Sequence, residues 1–419
     1  MGIFIEVLIQ AWIALRRNPL RSFLTMLGIV WGIASVTLLM AYGSGFRRVL
    51  VAGFEAFGKS AIIARPGQTS MQAGGERSGR RIRFEQSDAE ALRAEGSVIK
   101  QVSLETFARL PVTYGDKQTV LAIRGVNPEY GDIRNEVPSE GRWLNAEDQA
   151  GARRVAFIGS KAKEKIFGNR QAVGETVRIA GLRFLIIGMM ETKFQLSNYF
   201  SPDDQCLFIP YSAAEQLWNA QYPPVIVFSP AAPRLERQAI FQFREIMGRR
   251  HRFHPLDQRA VSAFGREEFR PIIDGLTIGL QALLLFIGVL TLGIGGIGLM
   301  NIMLVSVDER VKEIGIRRAL GAKRSHIRVQ FLAEALVITI AGGLIGLALS
   351  YSIAAAVGTV PMLSGLFEDD SGKGDLQLLI SLQSALVSAG ALLLVGLLSG
   401  TIPAMRAANL EPTEALRYE

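Results

Sequence analysis

Four long apolar stretches leave this chain few ways to fold. Crossing the hydrocarbon core of a bilayer takes about 20 apolar residues at ~1.5 Å each. The first stretch runs Ser22–Gly45, with no charge between Arg21 and Arg47. The second lies between Asp274 and Asp308, the third runs roughly from Phe331 to Gly358, and the fourth lies between Asp375 and Arg406. Such blocks are too long and too apolar for ordinary core helices. A fifth of the 419 residues are nonetheless charged, and they segregate into separate polar blocks, as in a membrane protein that carries soluble segments. The first stretch is predicted to stay as an anchor. It exceeds the ~7–15 apolar residues of a signal peptide, an amphipathic segment precedes it, and no small-x-small cleavage site ends it.

That preceding segment, Gly2–Leu15, spaces Phe4, Leu8, Ala11, Trp12 and Leu15 as one helix face, and Asn18-Pro19 stops it. It reads as a helix lying in the headgroup layer; a longer first span is the alternative. The net charge of +8 comes from arginines and lysines beside the apolar blocks, so it reads as a topology signal and not as nucleic-acid binding. Arg16, Arg17 and Arg21 flank the first span. Arg310, Lys312, Arg317, Arg318, Lys323, Arg324 and Arg328 fill the loop between spans two and three, whereas the loop between spans three and four holds Glu368, Asp369, Asp370 and Asp375. Positive flanks face the cytoplasm, which predicts both termini inside.

The expected organisation is an interfacial segment (1–21), span one (22–46), an extracytoplasmic domain (47–270), span two (275–305), a cytoplasmic stalk (306–328), span three (329–358), a short outer loop (359–375), span four (376–403) and a cytoplasmic tail (404–419). Small residues four apart within the spans, Gly28/Gly32, Gly275/Gly279, Gly342/Gly346 and Gly396/Gly400, allow close helix packing; equally, glycine is simply common in membrane helices.

The domain at 47–270 alternates strand-like and helix-like patterns, so the fold class is four transmembrane helices with a mixed α/β domain inserted between the first two. A strand is expected at Ala61–Ala64, an exposed mobile loop at Gln68–Arg83, a helix opened by a capping box at Ser87–Glu90, and hairpins turning at Gly115-Asp116 and Ala180-Gly181. Two motifs in it mislead. Gly53–Ser60 spells a phosphate-binding loop, but that loop needs a strand before it and a helix after it, and here the predicted order is the reverse. His251, His254 and Asp257 include ligand types, but Pro255 prevents a regular helix from aligning them, and with three histidines and the single Cys206 no metal set is completed. No cofactor site and no catalytic constellation emerge, so the chain reads as a non-enzymatic subunit.

The segment Val307–Glu334 is the most informative. Val307, Val311 and Ile314 form one apolar stripe, and Asp308→Lys312 and Glu313→Arg317 are acid-before-base pairs four apart. Gly321 should end this helix and Ser325 should cap the next. This predicts a rigid charged stalk leaving the membrane and an elbow into span three; a solvated helix end is the plainer alternative.

The run Glu309-Arg310…Glu313-Ile314-Gly315-Ile316-Arg317…Ala319-Leu320-Gly321-Ala322, followed by Phe331…Glu334-Ala335-Leu336 and Gly342-Gly343…Gly346, closely resembles MacB/FtsX-type ABC transporter permeases. So do the approach Arg17–Ile29 and the tail from Pro403 to Arg417. Gly125–Tyr130, Glu140-Gly141-Arg142 and Ala156–Gly159 resemble the MacB-type periplasmic core, and Gly58–Gly67 its first strand. The resemblance implies a bacterial inner-membrane protein that pairs with a second permease copy or a paralogue, docks a cytoplasmic ATPase, and in some cases works with a periplasmic adaptor. ATP-driven motion would pass through the spans to the outer domain, exporting a peptide, lipid-linked or small hydrophobic substrate. The ATPase is expected on another polypeptide. The resemblance also assigns Glu309, Arg310, Glu313, Arg317, Gly321 and Ala322 to ATPase coupling and Glu334 to the membrane edge. An FtsX-like regulator of a cell-wall enzyme and a lipoprotein-release permease are the alternatives it leaves open; an enzyme of the membrane is a further, remoter one.

Overall fold

The computed structural model describes residues 19–55, 58, 61–193, 199–361 and 374–411, and their side chains except those of 19–22, 24, 25, 54, 55 and 266–269. The segment Gly2–Leu15, half of the Gly53–Ser60 motif, the acidic residues Glu368, Asp369 and Asp370, and the tail beyond Glu411 lie outside the described residues. Along the chain, α1 (Pro19–Glu55) leads to β1 (Ile62–Pro66), α2 (Gln86–Glu95), β2 (Ile99–Tyr114), β3 (Lys117–Val126), α3 (Tyr130–Arg134), β4 (Pro138–Gly141) and α4 (Ala146–Ala150). There follow β5 (Val155–Ile158), α5 (Ser160–Phe167), β6 (Thr176–Ile179), β7 (Leu182–Met190), β8 (Cys206–Pro210), α6 (Tyr211–Ala214), β9 (Val225–Pro230), α7 (Glu236–His251) and β10 (Val261–Phe264). The chain ends with α8 (Arg266–Glu309), α9 (Val311–Ala319), α10 (Arg324–Val357), the short strands β11 (Thr359–Val360) and β12 (Leu376–Gln377), and α11 (Leu382–Asn409).

Two compact units result. One gathers the residues up to Arg48 with Gly275–Val360 and Leu376 onward; the other holds Val49–Asp274 with Pro361–Asp375. In the first, α1, α8, α10 and α11 are long and apolar enough to cross a membrane, as the hydropathy predicts. Glycines set how closely they meet. A Cβ at Gly28 would lie 3.3 Å from the Gly295 Cα, and one at Gly32 2.9 Å from Leu292. At Gly342 it would meet Ile29, at Gly346 it would fall 1.7 Å from the Ile33 Cγ2, at Gly396 it would strike Thr339 and at Gly400 Ala335. Added Cβ atoms at Gly275 and Gly279 meet nothing within 4 Å among the described residues. Gly346→Leu is therefore expected to push α10 off α1 and to cost roughly 3 kcal/mol or more, read as a lowered thermal midpoint in detergent. Gly279→Leu should leave that midpoint nearly unchanged.

The second unit is built on a mixed ten-stranded sheet in the order β10-β1-β9-β2-β3-β8-β5-β7-β4, with β6 pairing β2 and β7. The pairs β3–β8 and β5–β7 are parallel. Strand alternation divides the core between two faces. Ile62, Ala64, Ile226 and Phe228 pack with Leu92 of α2 and Phe243 and Met247 of α7, while their neighbours Ile63, Val225 and Val227 pack with Tyr130, Phe157 and Phe208. A further cluster seats Ala162, Ile166 and Phe167 of α5 on Ile123, Ile158, Ile186 and Ile209. The β2–β3 hairpin turns at Gly115-Asp116. The β6–β7 hairpin turns at Ala180 (φ 46) and Gly181 (φ 90), positive values at both central residues, as a tight hairpin needs.

Two local expectations are corrected. Helix α2 is capped by Glu85, not Ser87: Glu85 and Asp88 form the reciprocal capping box. Asp88 is drawn to that role by tertiary contacts, because its buried carboxylate also takes Arg250 Nε at 2.7 Å and His251 Nε2 at 2.8 Å. The stretch Gln68–Arg83 is exposed in part but fastened. The Asp257 carboxylate accepts the backbone N–H of Ser70 (2.6 Å) and Met71 (2.9 Å), Thr69 and Arg80 pair backbone to backbone, and Ile82 is buried.

Candidate functional site: a helical elbow

The segment predicted to be a rigid stalk followed by an elbow is itself broken within the stalk. Helix α8 ends at Glu309; Arg310 (φ −110, ψ 19) departs from helical geometry, and α9 restarts at Val311. The break lies between Asp308 and Lys312, so those two residues no longer face each other across one helical turn. Asp308 pairs with Arg406 of α11 instead, at 3.2 Å. The second expected pair does form: Arg317 Nη2 reaches Glu313 Oε1 at 2.6 Å, and its Nη1 donates to Gln330 of α10 at 2.9 Å. After α9 the chain reverses through Leu320 and Gly321, whose φ of +95 is strained for any residue with a Cβ. Helix α10 starts at Arg324 with Lys323 in the cap position and no side-chain cap bond, so Ser325 lies inside the helix and does not cap it.

Three contacts tie this elbow to its bundle. Val307, Val311 and Ile314 are buried; Val307 and Ile314 belong to a cluster with Ile327, Phe331, Ala404, Ala407 and Ala408. Arg310 Nη1 meets Glu334 Oε2 at 3.2 Å, with their side chains 13% and 2% exposed. Arg318 Nη1 donates to the Ala408 and Leu410 carbonyls at 3.1 and 2.7 Å, where the end of α11 leaves carbonyls without helical partners. Of the residues assigned by resemblance, Arg310 and Glu334 thus form an inner pair, and Glu313 and Arg317 an outer one. Glu309 and Gly321 are exposed, and Ala322 is half-buried and packs against the cluster.

Burial also identifies residues that spacing did not. Ile316 is 50% and Leu320 83% exposed. Four apart, on α9 and at its C-cap, they share the outward face with exposed Lys312. Exposed apolar residues of this kind mark contact surfaces when they sit together. Their spacing opposite the Val311/Ile314 stripe was the available signal.

In the second unit the misleading motifs resolve into structure. Helix α1 precedes Gly58 and β1 follows it, the reverse of a phosphate-binding loop. His251 engages Asp88, His254 Nδ1 accepts the Leu256 N–H at 3.2 Å, and Asp257 holds the 68–83 stretch, so the three point to separate tasks. A network that the sequence did not reveal lies deeper. Arg124 and Arg134 are fully buried. Arg124 reaches Glu105 at 3.0 Å and Asp203 at 3.2 Å, Arg134 reaches Asp203 at 2.8 Å, and Lys193 lies 3.1 Å from Glu136 and 3.3 Å from Asp203. Tyr130 accepts from Arg124 at 2.8 Å, Tyr199 donates to Glu105, and Arg65 lies 5.0 Å above the Tyr199 ring.

Burial pushes the Glu136 carboxyl up from an ordinary 4.5 to about 8, against the pull of Lys193. Burial acts on Asp203 in the same direction, but Arg134, Arg124 and Lys193 outweigh it and hold that carboxyl well below the usual range. The folded unit keeps the Glu136 proton up to about pH 8, whereas the unfolded chain releases it near 4.5. Stability from this group is complete below 4.5 and declines as pH rises through that window, by at most about 1.4 kcal/mol per pH unit. Glu136→Gln, which mimics the protonated form, is expected to flatten that decline, measured as denaturation midpoints between pH 5 and 8.

Family models match two parts of the chain: the MacB-like periplasmic core domain over residues 22–245 and the FtsX-like permease C-terminal region over residues 285–412. The macrolide export ATP-binding/permease protein MacB of Bdellovibrio bacteriovorus is 34% identical over 418 residues, covering 99% of this chain and 62% of its own length. The pyoverdine export ATP-binding/permease protein PvdT of Pseudomonas aeruginosa is 32% identical over 413 residues, 98% of this chain and 58% of its own. The chain thus spans about three fifths of the length of these curated relatives. The crystal structure of the periplasmic region of MacB from Actinobacillus actinomycetemcomitans aligns with a TM-score of 0.43 and 20% identity, over 54% of this chain and 97% of that one. With one model matching the inserted unit and the other the last three long helices, this chain belongs to the MacB/FtsX-type ABC transporter permeases.

Proposed function

We propose that this chain couples ATP hydrolysis by a separate cytoplasmic ATPase to movement of its α/β unit outside the membrane, and so drives export of a peptide, lipid-linked or small hydrophobic substrate. The names of its relatives, macrolide and pyoverdine export ATP-binding/permease proteins, support export. The basic residues of the elbow, set against Asp375 and its acidic neighbours at the other end of span three, support a cytoplasmic elbow with both termini inside. The observation that carries the reading is the elbow's two-sidedness: Ile316 and Leu320 are open to a partner, while Arg310–Glu334 and Arg318 fasten the same segment to the spans. A push on the outer face would then move α8, α10 and α11 together. Function in the family implies a second permease copy beside this one and allows a periplasmic adaptor.

Ile316→Asp with Leu320→Asp tests the reading. An apolar anchor at the centre of an interface contributes about 2 kcal/mol or more, so co-purification with the cognate ATPase should fall at least about 30-fold while the permease's own thermal midpoint holds. Undiminished association would place the ATPase elsewhere.

A further inference from the structure

Helix α8 carries a stripe more regular than a lipid-facing helix needs. Leu276, Leu283, Leu290 and Ile297 recur every seven residues, and Leu280, Ile287, Ile294 and Asn301 interleave with them at the same interval. Leu280 is half-buried and the others are exposed. The stripe lies opposite the side of α8 that packs into its own bundle through Leu292, Leu299 and Met303. A helix turns once in about 3.6 residues, so a strict seven-residue repeat drifts by ~20° per heptad on a straight helix. It stays in register only against a helix that supercoils with it. Fluid lipid imposes no such repeat.

The stripe ends in an amide. Asn301 lies seven residues before Asp308, the first charge after the second apolar stretch, or roughly 10 Å along the helix, which is hydrocarbon depth for a spanning α8. Hydroxyls of the long helices satisfy themselves on their own backbone: Thr291 donates to the Ile287 carbonyl at 2.9 Å, Thr339 to Ala335 at 2.8 Å and Thr401 to Leu397 at 2.6 Å. The Asn301 side chain is exposed and makes no hydrogen bond among the described residues. A polar group left unsatisfied in hydrocarbon is costly and calls for a partner across the helix surface.

We infer that α8 pairs along this stripe with α8 of a second, identical chain, and that the two Asn301 amides hydrogen-bond each other across the two-fold axis. A primary amide holds both donors and an acceptor, so it is complementary to its own copy. In a two-fold contact a residue on the axis meets itself, which makes an identical chain the fitting occupant. A single asparagine in an otherwise apolar helix seam sets register and the number of helices that join. Asn301 is thus a positioning residue. The inference deepens the second permease copy proposed above, and rests on that reading for there being a partner at all; the face and the register come from α8 alone.

The test uses the full chain in lipid membranes, without its ATPase, and two readouts. The first is oxidative cross-linking of introduced cysteines. Cys206 is the only native cysteine and is buried, so the unmodified chain supplies the baseline. Leu283→Cys, Leu290→Cys and Ile297→Cys should each give disulfide-linked dimers, because seam positions bring Cα atoms within the ~7 Å that a disulfide spans. Val289→Cys, exposed on another side of α8, should not. The second is energy transfer between labelled copies on dilution in lipid. Asn301→Ala should raise the dissociation constant about 3–30-fold, the scale of a hydrogen bond between spans, and should spread the cross-links beyond the seam as register is lost. Asn301→Gln should recover most of both, which loss of packing alone would not allow. Cross-linking at Val289 in place of the seam would overturn the inference and leave the second copy standing. Pairing only with a co-expressed paralogue, or association and register unmoved by Asn301→Ala, would overturn it too. No energy transfer at any dilution would overturn it together with the proposed pairing.

Discussion

Asp203→Ala is expected to cost the α/β unit roughly 3–5 kcal/mol, because it strips the shared partner from cations that stay buried. The carboxylate lies 3.2 Å from Arg124, 2.8 Å from Arg134 and 3.3 Å from Lys193. Neither arginine has solvent access, so neither can recover its hydration without opening the sheet between β2, β3 and β8. For a unit of this size the loss amounts to a thermal midpoint lowered by roughly 10 °C. Trp143 and Trp218 both lie in this unit, so tryptophan fluorescence during denaturation of the full chain reports on it. The control is Arg249→Ala. Its ion pairs with Glu95 at 2.6 Å and Glu245 at 3.5 Å join side chains that are all about half exposed, and such pairs contribute about 1 kcal/mol or less. A loss under 1 kcal/mol for Asp203→Ala would mean that water reaches the network, and the account of its buried charges would fail.

The second large effect is expected at the elbow. Glu334 is 2% exposed and is held by Arg310 at 3.2 Å, at the residue where α8 breaks. Glu334→Ala leaves the guanidinium facing an apolar cluster, and Arg310→Ala leaves the carboxylate there; each should cost roughly 3 kcal/mol. The double substitution should cost less than the sum of the two by about 1–3 kcal/mol, the scale of coupling between groups in contact. On the proposed function, both single variants should also lose most of the ATPase stimulation that the permease gives its partner, and Arg310→Glu with Glu334→Arg should restore part of it. Single-variant losses that add within about 0.5 kcal/mol would show that the pair does not act as a unit.

The residues explain why some features could be read early and others could not. An uninterrupted apolar run of bilayer length is a local property, and so is a hairpin turn such as Ala180-Gly181; neither waits on a distant partner. The break at Arg310 carries no proline or glycine to announce it. It follows from Asp308 finding Arg406 and Arg310 finding Glu334, partners about 100 and 24 residues away. The cap of α2 moved from Ser87 to Glu85 for a similar reason, since Asp88 serves Arg250 and His251 as well as the helix end. Arg124, Arg134 and Glu105 resemble surface charges on half-polar elements; only the packing of β3 against β8 and of α3 below it encloses them.

The sequence by itself determined the solvent of each part of this protein: which helices belong in lipid, which unit is a mixed α/β fold between the first and second of them, and where the basic flanks lie. These follow from transfer free energies that add up along neighbouring residues. The tertiary structure decided which charges are buried together, where the elbow bends and which face of α9 stays open. Those outcomes depend on pairwise contacts between residues far apart in the chain, and a contact has no energy until the fold has brought both groups to the same place.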